Sequence, residues 1–378
     1  VKIVIAPGAF KHSLTAFEAA EAIERGLKKS GLNAELLLMP AADGGNGTLE
    51  AFLVAGGERV TLTVHDPLMR PIQADYGLLA DGKTAVIEMA LASGLELLKS
   101  SELNPFRATT YGTGQVMQHA LERGATRFII GMGGSATVDG GAGALQALGV
   151  YFADEHGKPI TPGNSGLASI ISLHARHLDP RWQQVEIIIA SDVDNPAVGA
   201  EGAAAVFGAQ KGATFNDIPV LESHLIHYFK QIHHWHGIDV CHVGGGGAAG
   251  ALAAGLLAFL GGRIQSGVDL LLAQNGFRAE LENTALVITG EGQLDSQTIH
   301  GKTPHGIARI ARDYAVPTIA FAGSLNADDL ILHDAGFQAV LPIMDKPMPL
   351  DDALARAAEL LERAALRLGY ILKLSHKQ

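Results

Sequence analysis

Four aspartates carry the first chemical signal: Asp43, Asp139, Asp192 and Asp295 each stand in a glycine-flanked segment directly after a strand-like run. Solvating carboxylates usually fall on helix faces, whereas loops at strand ends present side chains to ligands. Carboxylates so placed suit phosphoryl transfer, in which one holds Mg²⁺ across phosphate oxygens and another accepts the proton of an attacking hydroxyl. The same chemistry needs cations against the transferred charge. Lys11 follows the first strand-like run, at the edge where open α/β sheets bind ligands, and Lys302 precedes Pro304 at an expected helix start. Gly301-Lys-Thr303 ends like a P-loop, but that spacing requires glycine at 296 and finds Ser296. For any one of these residues, loop capping or simple solvation is the competing role.

The densest anion-binding segment is Gly131-Met-Gly-Gly-Ser-Ala-Thr-Val-Asp-Gly-Gly-Ala-Gly143, set between an apolar run at 127–130 and a helix-like run at 144–148. Gly133, Gly134, Gly140 and Gly141 let backbone amides approach a ligand, while Ser135, Thr137 and Asp139 supply side-chain chemistry expected to face phosphate or substrate. Other chemistries are disfavoured. Five histidines between 224 and 236 are irregularly spaced along an amphipathic helix and read as surface or core side chains rather than a zinc site. Cys241 is the only cysteine and no Gly-x-Ser-x-Gly elbow is present, which argues against covalent acyl chemistry.

The elements that must position these groups are those of an α/β protein. At 378 residues the chain suggests two domains; 47% apolar residues with 6% aromatics imply an aliphatic core, and 46 glycines imply close-packed loops. Strand, glycine loop and helix alternate at 2–6, 15–29, 35–39 and 48–53. Short strands at 60–64, 72–79 and 84–89 suggest an antiparallel excursion, and a helix over 115–123 leads into the strand at 127–130. The run 187–190 reads as a strand before Asp192, and 219–236 and the apolar 248–260 as helices. The C-terminal part alternates again, with a strand at 286–289 ending in the loop Gly290-Glu-Gly-Gln-Leu-Asp295, a helix at 304–314, strands at 318–321 and 339–341, and one long helix over 350–373. The expected architecture is a discontinuous Rossmann-like or flavodoxin-like parallel α/β domain, 1–60 plus 285–378, with a second α/β domain, 61–284, inserted and the active site in the cleft between them. A net charge of −11 argues against nucleic-acid and anionic-membrane partners. One cysteine, and no signal-peptide h-region after Val1, point to a cytoplasmic protein. A monomer or a homodimer is expected.

Seven ordered motifs span the chain: Ala6-Pro7 with Phe10-Lys11 and Ser13-Leu14; Ala42-Asp-Gly-Gly45 with Gly47-Thr48; Thr109-Thr-Tyr-Gly-Thr-Gly114; Gly133-Gly-Ser-Ala-Thr137 with Asp139-Gly-Gly141; Asp192-Val193 with Asn195-Pro196; Gln210-Lys-Gly-Ala-Thr214; and Thr289-Gly-Glu-Gly292 with Asp295. On these the chain resembles the bacterial glycerate kinase family, of the glycerate 2-kinase type. The resemblance implies a two-domain kinase unrelated to P-loop enzymes, using ATP and Mg²⁺ on D-glycerate to form 2-phosphoglycerate. It places Lys11, Asp192 and Asp295 in the catalytic machinery, the two aspartates also as Mg²⁺ ligands. Binding of substrate or phosphate falls to Ser13, Asp43, Gly44, Gly45, Gly47, Thr48, Gly133, Gly134, Ser135, Ala136, Thr137, Asp139, Gly140, Gly141, Asn195, Lys211, Gly290, Glu291, Gly292 and Lys302. The family usually reads Pro-Asp-Ser-Phe-Lys-Gly-Ser at the first motif; here Gly8, Ala9 and His12 replace Asp, Ser and Gly. Asn46, Val138 and Asp194 stand where Glu, Asn and Thr are usual. Gly8 and Asn46 motivate the alternative of a weakened homologue that senses an organic acid or a nucleotide.

Overall fold

The computed structural model of the chain describes residues 1–42, 44–54, 56–295 and 303–375. Contacts divide the chain into two units, Val1–Asp43 with Val268–Gln378, and Gly44–Gly267. The expected boundaries at 60 and 285 thus move at both joins. Helix Thr48–Leu53 goes with the second unit because Glu88 accepts hydrogen bonds from its N-terminal amides. Residues 268–284 go with the first, where Val268 packs on Gly306 and Asp269 pairs with Arg309 at 2.6 Å.

The first unit is built on a parallel sheet in the order Ala339–Pro342, Thr318–Asn326, Thr284–Asp295, Lys2–Ile5, Glu35–Leu38. Numbered within the unit this is 2-1-3-4-5, the flavodoxin-like order, with its topological switch point between Lys2–Ile5 and Thr284–Asp295. Helix Ala16–Lys29 begins at a capping box, in which Thr15 Oγ1 accepts from the Glu18 amide at 3.1 Å and Glu18 returns a carboxylate to the Thr15 amide at 2.8 Å. Its apolar face, including Ile23 and Leu27, is fully buried against Leu361, Ala364 and Leu368 of helix Ala357–Ser375. Gly26 permits that approach, since a Cβ there would stand 2.2 Å from the Glu362 carbonyl. Burying Ile23 and Leu27 stabilises the pair by about 1.5–3 kcal/mol each.

Two expectations for this unit change. The strand expected to stop at 289 runs to Asp295, and Gln293, Leu294 and Asp295 pair with Ser324, Leu325 and Asn326. The single C-terminal helix is two, Leu350–Ala355 and Ala357–Ser375, because Arg356 leaves helical geometry at φ −107 and ψ 11. The break turns Leu350 out to solvent, so the apolar stripe holds only from Ala357 onward.

The second unit holds a six-stranded mixed sheet ordered Arg263–Gln265, Glu186–Ala190, Arg127–Gly131, Thr84–Glu88, Pro71–Leu79, Gly57–His65. The first four run parallel and the last two are antiparallel, as the short-strand excursion predicts. A small pair, Tyr151–Ala153 with Ser172–His174, was not expected. Helix Tyr111–Glu122 starts four residues early, its first turn made by the Tyr-Gly-Thr-Gly motif; Gly112 and Gly114 are needed there, as Cβ atoms would lie 1.9 Å and 2.3 Å from the carbonyls of His65 and Ala144. No helix among the described residues is long and apolar enough to cross a membrane.

Candidate functional site

In the first unit the switch point brings two predicted segments together. The Gly8 amide donates to the Gly290 carbonyl at 2.8 Å, and a Cβ on Gly292 would lie 3.2 Å from the Lys11 nitrogen. Gly290 is equally confined, with a Cβ meeting the Phe321 carbonyl at 2.5 Å, so backbone packs on backbone beneath an exposed Lys11. Ser13 is partly exposed and spends its hydroxyl proton on the Phe10 carbonyl at 2.9 Å, which leaves it an acceptor. Glu291 is half-buried beside Gly290. A side chain at position 8 would press on Thr303, whose Cβ and Cγ2 would each lie 3.3 Å from the added Cβ. Asp295 closes the strand; Asp43 and Lys302 lie outside the described residues.

His12 explains the family's glycine at that position: its φ is +65, in the left-handed region. A non-glycine residue there costs about 1–2 kcal/mol. His12→Gly is expected to raise stability by about 0.5–1 kcal/mol after the entropy of an added glycine in the unfolded chain is subtracted. Urea unfolding checks this, and a destabilised variant would contradict the strain.

In the second unit three segments converge at the C-terminal ends of parallel strands. The Gly133 amide donates to the Gly44 carbonyl at 2.9 Å, a Cβ on Gly133 would fall 2.4 Å from Gly45 Cα, and one on Gly44, at φ +87, would fall 2.4 Å from the Ala190 carbonyl. Gly45, Gly47, Gly133 and Gly134 are at least partly exposed on this surface. Thr48 is buried, its hydroxyl donating to the Gly45 carbonyl at 2.6 Å, so it shapes the loop from beneath. Asn46, the family departure, is exposed and donates to Glu96 at 2.7 Å.

Glu88 is the residue that sequence reasoning missed. It sits at the end of strand Thr84–Glu88, 5% exposed, and accepts the amides of Gly47 and Leu49 at 3.2 Å. Burial, aided by the charges of Glu50 and Glu96 and opposed by those amides, pushes its carboxyl up to about 7 from an ordinary 4.5. A carboxyl raised in the fold stabilises when protonated: the contribution is complete below pH 4.5 and is lost as pH rises through 7. Relative to Glu88→Gln, wild type is expected to lose roughly 2 kcal/mol between about pH 5 and pH 8. Parallel urea-unfolding profiles of the two proteins over that range would refute this.

The long glycine segment divides into a surface and a layer beneath it. Gly134 is exposed and Ser135 is 6% exposed, whereas Ala136, Thr137, Asp139, Gly140 and Gly141 are buried. Asp139 is fully buried and does not face a ligand surface. Its Oδ2 accepts from the Thr110 amide at 2.8 Å, the Thr110 and Thr109 hydroxyls at 3.0 and 3.2 Å and the Gly143 amide at 3.3 Å, and its Oδ1 accepts from the Gly141 amide at 3.1 Å. Thr110 Oγ1 in turn accepts from the Ala144 amide at 2.9 Å. The aspartate therefore ties together the N-termini of helices Tyr111–Glu122 and Ala142–Ala147, a capping role. Burial pushes its carboxyl up, against the donors that favour the anion. Thr137 is likewise turned inward, toward the Ala249 carbonyl at 3.4 Å. Lys211, expected on phosphate, is 2% exposed, and its ammonium donates to Ser135 Oγ at 2.8 Å and to the Thr137 carbonyl at 2.7 Å. Val138, another departure, is a core residue beside Phe152 and Leu225, so it does not alter the loop surface.

Asp192 is half-buried just past strand Glu186–Ala190, and Asn195 donates from its side chain to the Glu201 carbonyl at 2.8 Å while its own carbonyl holds the Gly247 amide. Asn195 is thus committed to its loop. His224 and His227 are satisfied by Asn164 and the Ile170 carbonyl, both at 2.8 Å, as core-edge histidines.

The chain is similar to known proteins over its whole length. The chain matches the family model described as the glycerate kinase family over residues 3–373. It is 45% identical to a glycerate kinase of Halalkalibacterium halodurans, covering 98% of this chain and 97% of that protein. To the glycerate 2-kinase of Escherichia coli it is 43% identical, with 98% of each chain covered. A crystal structure from Salmonella typhimurium, described as a candidate glycerate kinase 2, aligns over 100% of both chains with a TM-score of 0.86 and 43% identity. The chain belongs to the glycerate kinase family and is an ATP-dependent phosphotransferase.

Proposed function

We propose that the chain transfers the γ-phosphoryl group of ATP to the C2 hydroxyl of D-glycerate, giving 2-phosphoglycerate and ADP. The observation that carries this reading is the switch point of the parallel sheet, where exposed Lys11 and the strand ending at Asp295 rise from adjacent strands. In the transfer the hydroxyl oxygen bonds to phosphorus, the bond from phosphorus to the β–γ bridging oxygen breaks, and the hydroxyl proton passes to a carboxylate. Lys11 meets the glycerate carboxylate. The exposed glycine amides at 45, 47, 133 and 134 bind anionic oxygens, with Ser135 beside them.

Asp192 and Asp295 divide the roles of proton acceptor and Mg²⁺ ligand. Mg²⁺ keeps several waters and takes only one or two carboxylates beside phosphate oxygens, so a half-buried Asp192 at a strand end fits it. When bound, the ion neutralises charge on the transferring phosphates. An assay with D-glycerate, Mg²⁺ and ATP, coupled to an enzyme that consumes only 2-phosphoglycerate, tests activity and position together. ADP release without coupled signal would move the phosphate to the 3-position. Tight binding of both substrates without ADP release would favour the sensor reading that Gly8 and Asn46 motivate.

A further inference from the structure

Lys211 is a buried cation whose carbon stem and ammonium sit under the glycine loop, on a short turn at Ala209–Lys211. Its ammonium only donates, so Ser135 Oγ at 2.8 Å must be the acceptor of that hydrogen bond. The second donor goes to the Thr137 carbonyl at 2.7 Å, which pins the other end of the same three-residue segment. With its oxygen engaged from below, the Ser135 hydroxyl retains one proton, and its one side-chain hydrogen bond among the described residues is the one it accepts from Lys211. The side chain is 6% exposed beside exposed Gly134, so the proton is left for the outer face.

We propose that Lys211 is a positioning residue that fixes the direction of the Ser135 hydroxyl, so that Ser135 donates its proton outward to an anionic oxygen of a bound substrate. The identity of that substrate rests on the kinase reading above; the Lys211–Ser135 coupling does not. Burial disfavours the ammonium and brings Lys211 down to about 7, against the charge of Asp139, which favours its protonation. Tyr228, whose hydroxyl is raised by burial and by the charge of Asp139, is the other titratable group that senses that carboxylate. A neutral Lys211 gains a lone pair and turns the serine proton inward, so the outward donor is lost as the solution becomes alkaline.

The test has two arms. In protein labelled with ¹³C at lysine Cε, the Lys211 resonance should titrate near neutrality, and Ser135→Ala should move that titration to lower pH by removing an acceptor. In steady-state kinetics, Ser135→Ala and Lys211→Met should each raise KM for glycerate or for ATP about tenfold, the loss of one hydrogen bond. The double variant should be no worse than either single one, and wild-type KM should rise above neutral pH while that of Ser135→Ala stays flat. A Lys211 titration indifferent to Ser135→Ala, or additive effects on KM, would overturn the proposal. If wild type shows no turnover, the kinase reading fails, and the resonance titration still decides the coupling, including where Lys211→Met proves too unstable to assay.

Discussion

Asp139→Ala is expected to lower the stability of the second unit by about 3–5 kcal/mol, the cost of removing one partner from a buried, fully hydrogen-bonded charge. The amides of Thr110, Gly141 and Gly143 and two threonine hydroxyls would lose their acceptor in a place water does not reach. Each stranded donor costs about 1–3 kcal/mol. Asp139→Asn is a finer probe: with its oxygen at the Oδ2 position it still accepts from Thr110 and Gly143, and only the Gly141 amide faces a donor. It should cost less than alanine. Urea unfolding read against kcat/KM separates capping from catalysis. Turnover lost at full stability would show that the carboxylate acts on substrate, whereas a common fall in both supports the helix-tying role. Loss of the Asp139 charge should also lower the Lys211 titration further, since that charge favours the ammonium.

Asp139 also shows where sequence reasoning stops. Its place in a glycine loop after a strand was legible, and so were the loop itself, the parallel strands flanking it and the antiparallel excursion, because period and glycine density are local signals. Which way a loop carboxylate turns is decided by partners distant in sequence, here the Thr109 and Thr110 pair. Glu88 was hidden for the converse reason: as the last residue of an apolar strand it read as part of the strand, and its partners Gly47 and Leu49 come from the start of a helix about forty residues earlier. The flavodoxin-like order was named as a class, but the pairing of Lys2–Ile5 with a strand beginning at Thr284 is a long-range event that no window registers. At Arg356 the helix breaks without a proline or glycine to announce it.

The deepest mismatch between propensity and structure lies at 249–251, inside a run that reads as uninterrupted helix. Ala249, Gly250 and Ala251 have φ of 54, 65 and 67, three consecutive left-handed residues. Alanine is the best right-handed helix former, so tertiary contacts override its preference here. Those contacts reach the glycine loop: the Gly250 carbonyl accepts from the Gly140 amide at 3.0 Å, and the Ala249 carbonyl accepts from Thr137 Oγ1 at 3.4 Å.

Gly250→Ala is therefore expected to be among the most damaging single substitutions. The new Cβ would stand 1.9 Å from the Thr137 carbonyl oxygen and 2.6 Å from its carbon, so the backbone itself must move. Left-handed strain of about 1–2 kcal/mol and overpacking of about 1–3 kcal/mol act together. The carbonyl displaced is the one that holds Lys211, so KM should rise along with the fall in stability. Ala249→Gly supplies the opposing arm. It relieves left-handed strain but loses a buried methyl and adds unfolded-state entropy, for a net change within about 0.5 kcal/mol of zero. In a regular helix the same change would cost about 1 kcal/mol for the glycine and nearly as much again for the methyl. Urea unfolding of the two variants decides between the geometries: a tolerated Gly250→Ala with a costly Ala249→Gly would mean right-handed helix through this segment. The opposite pattern establishes the left-handed turn as the support on which the Thr137 carbonyl rests.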